Sequence, residues 1–416
     1  MSLARVINLD DFRARARRRL PRIAFDFIDG GADDEACLAR NREAFGAFRL
    51  LPRYLRNVDH RDQTTELFGR RYASPFGISP TGLAGLFRAD ADAMLAAAAH
   101  EADVPFLLSS AANISIERAM EIAPGNVWFQ VYATRDAAIN ADLLRRARAA
   151  GVDVLVLSVD VPVNANRERN RRNGFTRPFR MTPSIVLDAL GHPGWVLRYL
   201  RNGGLPMMRN WQPYARPGAS AAEVSDLYGK LTPAGGTDWN TLADMRDAWP
   251  GALVVKGLLH PEDVLRAREA GVDGVIVSNH GGRQLDAAPS PIEMLPAIRS
   301  AVGPDFPLLL DSGVRRGSDV VIARCLGARA CISGRPTLFA VASDGQPGVA
   351  HALSILRREV DAVLAQMGCP VFDALDARYL DAAPQGAVVG KPDPVALFIA
   401  NGSNMSVTGQ TTTTGG

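Results

Sequence analysis

The sequence predicts an α/β protein built as a (β/α)8 TIM barrel, with an N-terminal helical lead-in and one long insertion after the fourth strand. From residue 74 onward, short apolar runs alternate eight times with longer segments of helical character. Polar and ionisable residues gather where these runs end, as they do at the ligand-binding edge of parallel α/β proteins. A doubly wound open sheet is the alternative, because periodicity alone does not separate the two folds.

The bulk composition is that of a soluble globular protein. Of the 416 residues, 47% are hydrophobic and 22% are charged, and the net charge of +3 indicates no general nucleic-acid-binding surface. The four cysteines lack the spacing of a zinc site or a disulfide framework, so no metal is expected. No apolar run approaches the roughly 20 residues that span a bilayer. The Arg-rich N-terminus lacks the apolar core of a signal peptide, which predicts a reducing, cytoplasmic location.

Three segments follow one another along the chain. Residues 1–73 are predicted as a lead-in, helical over 8–45 and extended over 46–72, with Gly30 and Gly31 as a helix stop. Residues 74–370 form the barrel, with strands predicted at 75–79, 104–108, 127–132, 154–159, 253–256, 274–278, 308–311 and 330–333. Helices are predicted at 89–102, 115–122, 138–150, 238–249, 261–270, 291–302, 317–326 and 349–367. Residues 371–416 form an extension whose small, polar end is predicted to be disordered.

The insertion, residues 175–236, interrupts the alternation after the fourth strand. It combines aromatic and basic side chains with short apolar runs: Trp195, Tyr199, Trp211, Tyr214, Arg177, Arg180, Arg198, Arg201, Arg209 and Arg216. This mixture suits the surface of a membrane, so peripheral contact with the inner face of the membrane is a hypothesis for this segment. The alternative is a loop that packs against another subunit or over the barrel mouth.

The segment 278–286 follows the predicted sixth strand and carries a histidine and an arginine three residues apart. A neutral imidazole at His280 can take a proton. The guanidinium of Arg283 can hold a carboxylate by two parallel hydrogen bonds. The glycine pair between them allows a tight turn and the close approach of a ligand. This combination indicates a binding or catalytic loop.

Other strand ends carry further polar groups. After the seventh and eighth strands, the segments 311–317 and 333–336 form glycine turns that lead into helices. Backbone N–H groups and arginines in such turns can bind a phosphate, and phosphate sites recur at this place in barrels. Earlier strand ends contribute Pro80, Thr81, Gly82, Ser109, Gln130, Tyr132, Ser158, Asp160 and Lys256.

These residues resemble the FMN-dependent L-2-hydroxy acid dehydrogenases and oxidases, a family that includes glycolate oxidase, lactate oxidase, flavocytochrome b2 and mandelate dehydrogenase. The resemblance runs from about residue 6 to 367 and is most specific in 160–169, 278–286 and 311–317. It implies FMN as the cofactor and oxidation of an L-2-hydroxy acid to the 2-oxo acid. Because the family often forms tetramers, a homo-oligomer is expected. Oxygen, a quinone and a carrier protein all remain open as electron acceptor.

The resemblance also implies catalytic roles. His280 corresponds to the base that takes the substrate proton, and Asp160 to the carboxylate that stabilises the protonated imidazole. Arg167 and Arg283 correspond to the pair that binds the substrate carboxylate. Tyr132 corresponds to a tyrosine that hydrogen-bonds the substrate.

The implied cofactor site is distributed over all strand ends. Lys256 corresponds to a lysine beside the flavin N1–C2=O edge, where positive charge stabilises the reduced ring. The ring would be bordered by Pro80, Thr81, Gly82, Ser109, Gln130, Ser158 and Ser278. The ribityl phosphate would be held by Asp311, Ser312, Gly313, Val314, Arg315, Gly334 and Arg335.

One position departs from the family pattern and two others bear on substrate size. Phe27 stands where the family commonly has a tyrosine that donates to the substrate carboxylate, so one donor is missing or comes from elsewhere. Ala111 and Gly82 are smaller than their usual counterparts and enlarge the pocket, and 109–117 resembles the mandelate dehydrogenase version. A bulky aromatic acid is therefore favoured, with lactate as the alternative.

Two functions outside this family remain as hypotheses. A phosphate-binding aldolase or isomerase would use the same phosphate site and a reactive Lys256, but it leaves the His280 and Arg283 pair unexplained. A non-catalytic membrane scaffold would rest on the insertion alone.

Overall fold

Short runs of β-branched and aliphatic residues, buried along their whole length, form the centre of the protein. The computed structural model describes residues 2–175 and 182–381. Within these residues the strands are β1 (Thr65–Leu67), β2 (Arg70–Tyr72), β3 (Phe76–Ile78), β4 (Phe106–Ser109), β5 (Val127–Val131), β6 (Val154–Ser158), β7 (Ala252–Lys256), β8 (Gly274–Val277), β9 (Leu308–Asp311) and β10 (Ala330–Ser333).

Strands β3 to β10 close into a barrel in which every neighbouring pair is parallel. They follow one another in chain order, and β10 returns to pair with β3, for example Cys331 opposite Phe76. This closure confirms the predicted (β/α)8 barrel and excludes the open sheet. The eight predicted barrel strands match the observed ones to within two residues at each end.

The antiparallel hairpin β1–β2 contributes its side chains to the barrel interior, although residues 46–72 were expected to be extended and irregular. Leu67 and Tyr72 pack in one buried cluster with inward-facing barrel residues such as Val254 and Ile276. The indole N–H of Trp128, in β5, donates to the Tyr72 hydroxyl at 3.0 Å. The hairpin and strand beginnings thus fill one end of the barrel, which leaves the carboxyl ends of the strands to form the site.

The helices surround the barrel and also build the lead-in and the insertion. They are α1 (Leu9–Arg19), α2 (Arg22–Asp29), α3 (Ala36–Glu43), α4 (Ala91–Glu101), α5 (Ile116–Ile122), α6 (Ala137–Ala149), α7 (Glu168–Arg172), α8 (Pro183–Leu190), α9 (Pro193–Arg201), α10 (Ala221–Leu231), α11 (Trp239–Ala248), α12 (Pro261–Glu269), α13 (Pro291–Val302), α14 (Gly317–Cys325) and α15 (Arg335–Met367). Short 3-10 helices occur at Leu3–Arg5, Ala44–Ala47, Ala84–Leu86, Gln212–Tyr214, Phe372–Ala374 and Ala377–Tyr379.

The segment α15 consists of two helices that meet at Gly345. The sequence predicts a helix only over 349–367, but helical backbone also begins at Arg335, directly after β10. Pro336 occupies the first turn of this earlier helix, where a missing N–H is tolerated. Gly345, with φ 66° and ψ −151°, is not helical and lies just before Pro347. Residues 335–344 are therefore a separate helix that the sequence did not predict, and the predicted helix follows the break.

The lead-in is held in place by partly buried ion pairs. On α1, Arg15 donates two hydrogen bonds to Asp344 of α15, at 2.6 and 2.8 Å. On α2, Asp29 accepts from Arg13 at 2.9 Å and from Arg169 of α7 at 2.8 Å. These contacts fix the C-terminal half of α2 beside the barrel mouth.

The insertion is folded and largely helical over its described part. It contains α8, α9 and α10, and the Trp195 indole donates to the carbonyl of Leu86 at 2.9 Å. Residues 176–181, which include Arg177 and Arg180, lie outside the described residues. So does the predicted C-terminal extension from residue 382 onward.

Candidate active site

A cavity of about 240 Å³ opens at the carboxyl ends of the barrel strands. It brings together most of the residues that the sequence singles out: Pro80, Thr81, Gly82, Ser109, Tyr132, Arg167, Lys256, His280, Arg283, Asp311, Ser312, Gly313, Val314, Arg315, Gly334 and Arg335. Gln130, Ser158, Asp160 and Ser278 are also at strand ends but do not line the cavity wall.

His280 and Asp160 form a hydrogen-bonded pair at the cavity wall. The imidazole Nδ1 lies 2.9 Å from the Asp160 Oδ1, and the histidine side chain is 20% exposed, toward the cavity. Burial opposes ionisation of Asp160, but His280 and Lys256 outweigh it, so the pKa of this carboxyl falls to about 2. An ionised carboxylate at Nδ1 makes that nitrogen the donor. The other ring nitrogen, Nε2, is then left with a free lone pair and can act as a base.

The imidazole is neutral at neutral pH. Burial lowers the pKa of His280 below its usual value, Asp160 raises it in part, and the positive charges of Lys256 and Arg167 lower it further. A base must be unprotonated to accept a proton, so this environment keeps His280 competent at pH 7.

The loop that carries His280 has an unusual backbone. His280, Gly281 and Gly282 have φ of 57°, 67° and 71°, so all three are left-handed. A Cβ on Gly282 would lie 2.6 Å from the backbone nitrogen of Leu38, so only glycine fits there. For a histidine this conformation is uncommon and is maintained only when the surroundings enforce it.

Two side chains of the same loop tie it to α3. Asp286 accepts hydrogen bonds from the backbone nitrogens of Ala36 and Cys37, at 3.1 and 2.8 Å, at the start of that helix. Asn279 exchanges hydrogen bonds with the buried amide of Asn41 at 2.9 and 2.6 Å. Asp286 and Asn279 are therefore anchors, a role that the sequence pattern does not reveal.

Two arginines present positive charge to the cavity. Arg283 donates through Nη1 to the carbonyls of Phe27 and Gly30, at 2.7 and 3.1 Å, and its guanidinium lies 5.1 Å from the centre of the Phe27 ring. Arg167 donates to the Arg283 carbonyl at 3.3 Å. Burial first, and then Arg167 and Arg335, lower the pKa of Arg283 well below its usual value. Clustered cations of this kind favour the binding of an anion such as a carboxylate.

Tyr132 stands opposite these charges as a neutral hydrogen-bond donor. Burial, followed by the proximity of Tyr228 and Asp160, raises its pKa well above the usual value. Its hydroxyl therefore keeps its proton across the physiological range and can donate to a bound ligand.

Lys256 is fully buried within a network of acceptors. Its Nζ lies 2.9 Å from the Ser278 hydroxyl, 3.3 Å from Asp311 and 3.6 Å from Asp160. Burial alone would lower its pKa, but the two carboxylates raise it, so the lysine stays charged. Ser278 and Ser79 both donate to Asp311, at 2.7 and 3.0 Å. The carboxylate of Asp311 therefore contacts Lys256 and also lines the cavity, and its assignment to the ribityl-phosphate site stays a prediction.

The turns after β9 and β10 concentrate positive charge beside backbone N–H groups. Gly313 has φ 90°, and a Cβ there would lie 2.0 Å from the carbonyl of Asn41. Burial, followed by mutual repulsion, lowers the pKa of Arg315 to about 10, and burial likewise lowers that of Arg335 to about 10. Arg335 is fixed by the carbonyls of Ile28, Gly281 and Gly30, at 2.8 to 2.9 Å. Two buried arginines beside the starts of α14 and α15 fit a phosphate.

Several buried polar atoms at the strand ends have no partner among the described residues. Both amide atoms of Gln130 and the hydroxyls of Ser110, Ser158 and Ser333 are in this state. Buried polar groups are normally hydrogen-bonded, so these atoms indicate a polar ligand. Of these residues Ser333 lines the cavity, and a flat heterocycle with donors and acceptors along its edge, joined to a phosphate, offers partners of this kind, so the residues present fit FMN.

Part of the insertion forms one wall of the cavity. Met208, Tyr228, Thr232 and Pro233 all line it. The insertion thus covers the barrel mouth, as one of the alternatives predicted. Basic and aromatic composition gave no signal for this contact, because the contact joins segments far apart in sequence.

Phe27 also lines the cavity, within a cluster of aromatic rings. Its ring centre lies 4.8 Å from that of Phe175 and 6.0 Å from that of Phe87. Ala111 lines the same cavity. Phe27, Ala111 and Met208 therefore contribute apolar surface to the cavity.

Comparison with known proteins places this geometry in context. The family model described as FMN-dependent dehydrogenase matches residues 16–382. The chain is 39% identical over 392 residues to (S)-mandelate dehydrogenase of Pseudomonas putida, which covers 93% of this chain and 98% of that protein. It is 37% identical over 379 residues to L-lactate dehydrogenase of Pseudomonas syringae pv. syringae, with 90% and 98% coverage. The crystal structure of the monotopic membrane protein (S)-mandelate dehydrogenase superimposes with a TM-score of 0.87 at 40% identity, covering 91% of this chain and 99% of that one.

Proposed function

The chain belongs to the FMN-dependent dehydrogenase family and oxidises a 2-hydroxy acid to the 2-oxo acid with FMN as its cofactor, and we propose that the acid is bulky and aromatic, as mandelate is. The observation that carries the assigned reaction is the hydrogen-bonded pair of His280 and Asp160, because His280 lines the same cavity as Arg167 and Arg283. Neither an aldolase nor a membrane scaffold would need that arrangement.

In this proposal the chain's own residues bind the acid and move one proton. Arg167 and Arg283 hold the carboxylate, which orients the hydroxyl-bearing carbon toward His280. His280 Nε2 then takes a proton from the substrate, and Asp160 stabilises the imidazolium that forms. When bound, FMN would accept the two electrons together with the second hydrogen of the substrate, as a hydride or its equivalent. The charged Lys256 offsets the negative charge that develops beside it.

The apolar part of the cavity supports the assignment of substrate size. Phe27, Ala111 and Met208 offer an apolar surface to a side chain of the substrate. Burying apolar area there contributes about 25 cal/mol per Å². An aromatic acid can use that surface, whereas glycolate cannot and lactate can use little of it.

A substrate panel tests the proposal. The holoenzyme is mixed anaerobically with mandelate, lactate and glycolate, and the loss of oxidised flavin absorbance is followed. We expect mandelate to give the highest efficiency, with His280→Gln retaining FMN but losing nearly all reduction. A preference for lactate would favour that alternative, and a His280→Gln variant that reduces its flavin at the wild-type rate would contradict the assignment of the base. Reoxidation by oxygen and by a soluble quinone, measured afterwards, identifies the acceptor class.

We also propose that the chain associates peripherally with a membrane through α8 and α9. No helix among the described residues is both long enough and apolar enough to cross a bilayer. The α8–α9 pair nevertheless exposes a group of large apolar side chains: Val186, Leu187, Leu190, Leu197 and Leu200. Side chains of this kind can enter the interfacial region of a membrane.

Sedimentation with phosphatidylcholine vesicles tests this association. The triple variant Leu187→Ser, Leu190→Ser and Leu197→Ser should lose binding while keeping turnover with an artificial dye. The control Leu55→Ser, at another exposed leucine, should bind as the wild type does. Unchanged sedimentation of the triple variant would show that these leucines do not carry the membrane association.

A further inference from the structure

Arg335 joins three parts of the active site through a single side chain. It is the first residue of α15 and lines the active-site cavity. Its Nε donates to the carbonyl of Ile28 at 2.9 Å, its Nη1 to that of Gly281 at 2.8 Å and its Nη2 to that of Gly30 at 2.8 Å. The start of α15, the end of α2 and the loop that carries His280 therefore meet at one guanidinium group.

The two acceptors at the end of α2 are carbonyls that a helix leaves without a partner of its own. Ile28 belongs to the last turn of α2, and Gly30 is its C-cap. Arg283 donates to the same Gly30 carbonyl at 3.1 Å. Arg335 therefore shares an acceptor with the arginine assigned to the substrate carboxylate, and a displacement of that carbonyl changes the hydrogen bonds of both.

The third acceptor belongs to the left-handed loop of His280. The backbone N–H of Gly281 donates to the Ser312 hydroxyl at 3.0 Å, whereas its carbonyl accepts from Arg335. The loop packs closely on the guanidinium, since a Cβ added to Gly281 would lie 2.6 Å from Nη1. A left-handed histidine is maintained only where its surroundings enforce it, and Arg335 fixes the residue that follows it.

The guanidinium of Arg335 has enough donors both to hold this loop and to bind a phosphate. It carries five N–H groups. Within the described residues Nε, Nη1 and Nη2 each use one of them on a backbone carbonyl. One N–H on Nη1 and one on Nη2 are then left for a ligand. The ammonium group of a lysine cannot reproduce three donations in fixed directions of one plane.

We propose that Arg335 is a positioning residue for the reaction, which keeps His280 and Arg283 in place by tying the end of α2 to Gly281. The inference rests on the proposed reaction, in which His280 accepts the proton and Arg283 binds the carboxylate. Positioning of this kind has a large effect on rate, because a displacement of about 1 Å can cost about a hundredfold.

Arg315 offers a matched comparison at the same predicted phosphate site. Its guanidinium donates to the carbonyl of its neighbour Val314 at 2.8 Å and lies 3.9 Å from Asp10. Within the described residues it makes no hydrogen bond to α2 or to the loop of His280. Substitution of either arginine by lysine therefore changes the phosphate site, but only one of the two substitutions changes the attachment of the loop.

The test compares Arg335→Lys with Arg315→Lys, each loaded with saturating FMN. Titration of the apoproteins with FMN measures the loss of cofactor affinity, which we expect in both. Anaerobic stopped-flow with the preferred acid then measures flavin reduction. We expect Arg335→Lys to reduce its flavin about tenfold more slowly than Arg315→Lys, or slower still. Its affinity for the 2-oxo acid product should also be the lower of the two, because Arg283 shares the Gly30 carbonyl.

The pH profile gives a readout that a role in phosphate binding alone would not change. Asp160 raises the pKa of His280, and Arg335→Lys keeps the charge of the side chain. If the loop shifts and the contact between His280 and Asp160 loosens, that pKa falls. The midpoint of flavin reduction should therefore move to lower pH in Arg335→Lys and by less in Arg315→Lys.

Chemical rescue of Arg335→Ala provides a second measurement. At saturating FMN, added guanidinium chloride should restore part of the rate of flavin reduction. Ammonium chloride at the same concentration should not, since only the planar cation can donate to several carbonyls at once.

The outcomes separate this inference from the reaction on which it rests. A wild type that reduces its flavin with none of the 2-hydroxy acids would overturn the reaction and the inference with it. An active wild type, with equal reduction rates and one shared pH midpoint in the two lysine variants, would leave the reaction standing and refute the positioning role. Equal rescue by ammonium and guanidinium would show that Arg335 acts only through its charge, which also refutes it.

Discussion

Replacing Asp160 by asparagine removes one charge from the active site and leaves its shape nearly intact. The asparagine Oδ1 can still accept from His280 Nδ1, which lies 2.9 Å from the present oxygen. What is lost is the attraction between a carboxylate and the imidazolium that forms during the reaction. With charge centres about 4 Å apart and an effective dielectric constant of about 20, that attraction is about 4 kcal/mol. A change of that size corresponds to about a thousandfold slower flavin reduction.

The same variant should shift the pH profile in a defined direction. The base must be neutral to accept a proton, so the rate of flavin reduction rises as the pH passes through the pKa of His280. In the native protein burial lowers this pKa and Asp160 raises it. Without the carboxylate the pKa falls further, because the group that raises it is gone while Lys256 and Arg167 still lower it. The midpoint should therefore move to lower pH while the plateau rate decreases.

Anaerobic stopped-flow reduction at saturating substrate, repeated across pH, measures both quantities. Affinity for the 2-oxo acid product is the control, since it depends on Arg167 and Arg283 and should change little. A general structural disturbance would weaken product binding and leave the midpoint where it is. A plateau within tenfold of the wild type, or a midpoint displaced to higher pH, would refute the assigned role of Asp160.

Two further substitutions examine the substrate side of the cavity. Arg283→Lys should lower both substrate affinity and turnover, by about tenfold or more, because a point charge cannot replace the planar guanidinium. Near-normal steady-state kinetics with the preferred acid would contradict the role of Arg283 in binding the substrate carboxylate. Phe27→Tyr offers a donor worth about 1.5–3 kcal/mol to the carboxylate, and since bulky acids already use the apolar ring, the ratio of efficiencies for lactate over mandelate should rise. A ratio that is unchanged or moves toward mandelate would mean that Phe27 only packs against Phe87 and Phe175.

The barrel was predictable because its signals are local. Each strand is a short run of buried aliphatic residues, and each following helix has apolar residues at helical spacing. Eight such units in succession fix the strand order once closure is assumed, and the observed order agrees. The polar residues at the strand ends converge as a consequence of parallel pairing, which is why most of the predicted site residues meet in one cavity.

The features that the sequence did not predict all depend on distant contacts. The left-handed conformation of His280 and the close approach of Gly282 to Leu38 belong to a contact between distant segments that no local pattern encodes. The contact of Asp311 with Lys256 arises because β7 and β9 both flank β8, so the two strand ends come together only in the closed barrel. The hairpin β1–β2 has too few residues for its alternation to stand out.

The insertion illustrates how one composition can serve two purposes. Its aromatic and basic residues suggested a membrane surface, and α8 and α9 do expose leucines. Its later part instead turns inward, where Met208 and Tyr228 line the active-site cavity. Excising the whole of 175–236 would therefore open the cavity as well as remove the apolar surface, and it would confound catalysis with membrane binding. Because no residue of α8 or α9 lines that cavity, substitutions on those two helices separate the two properties.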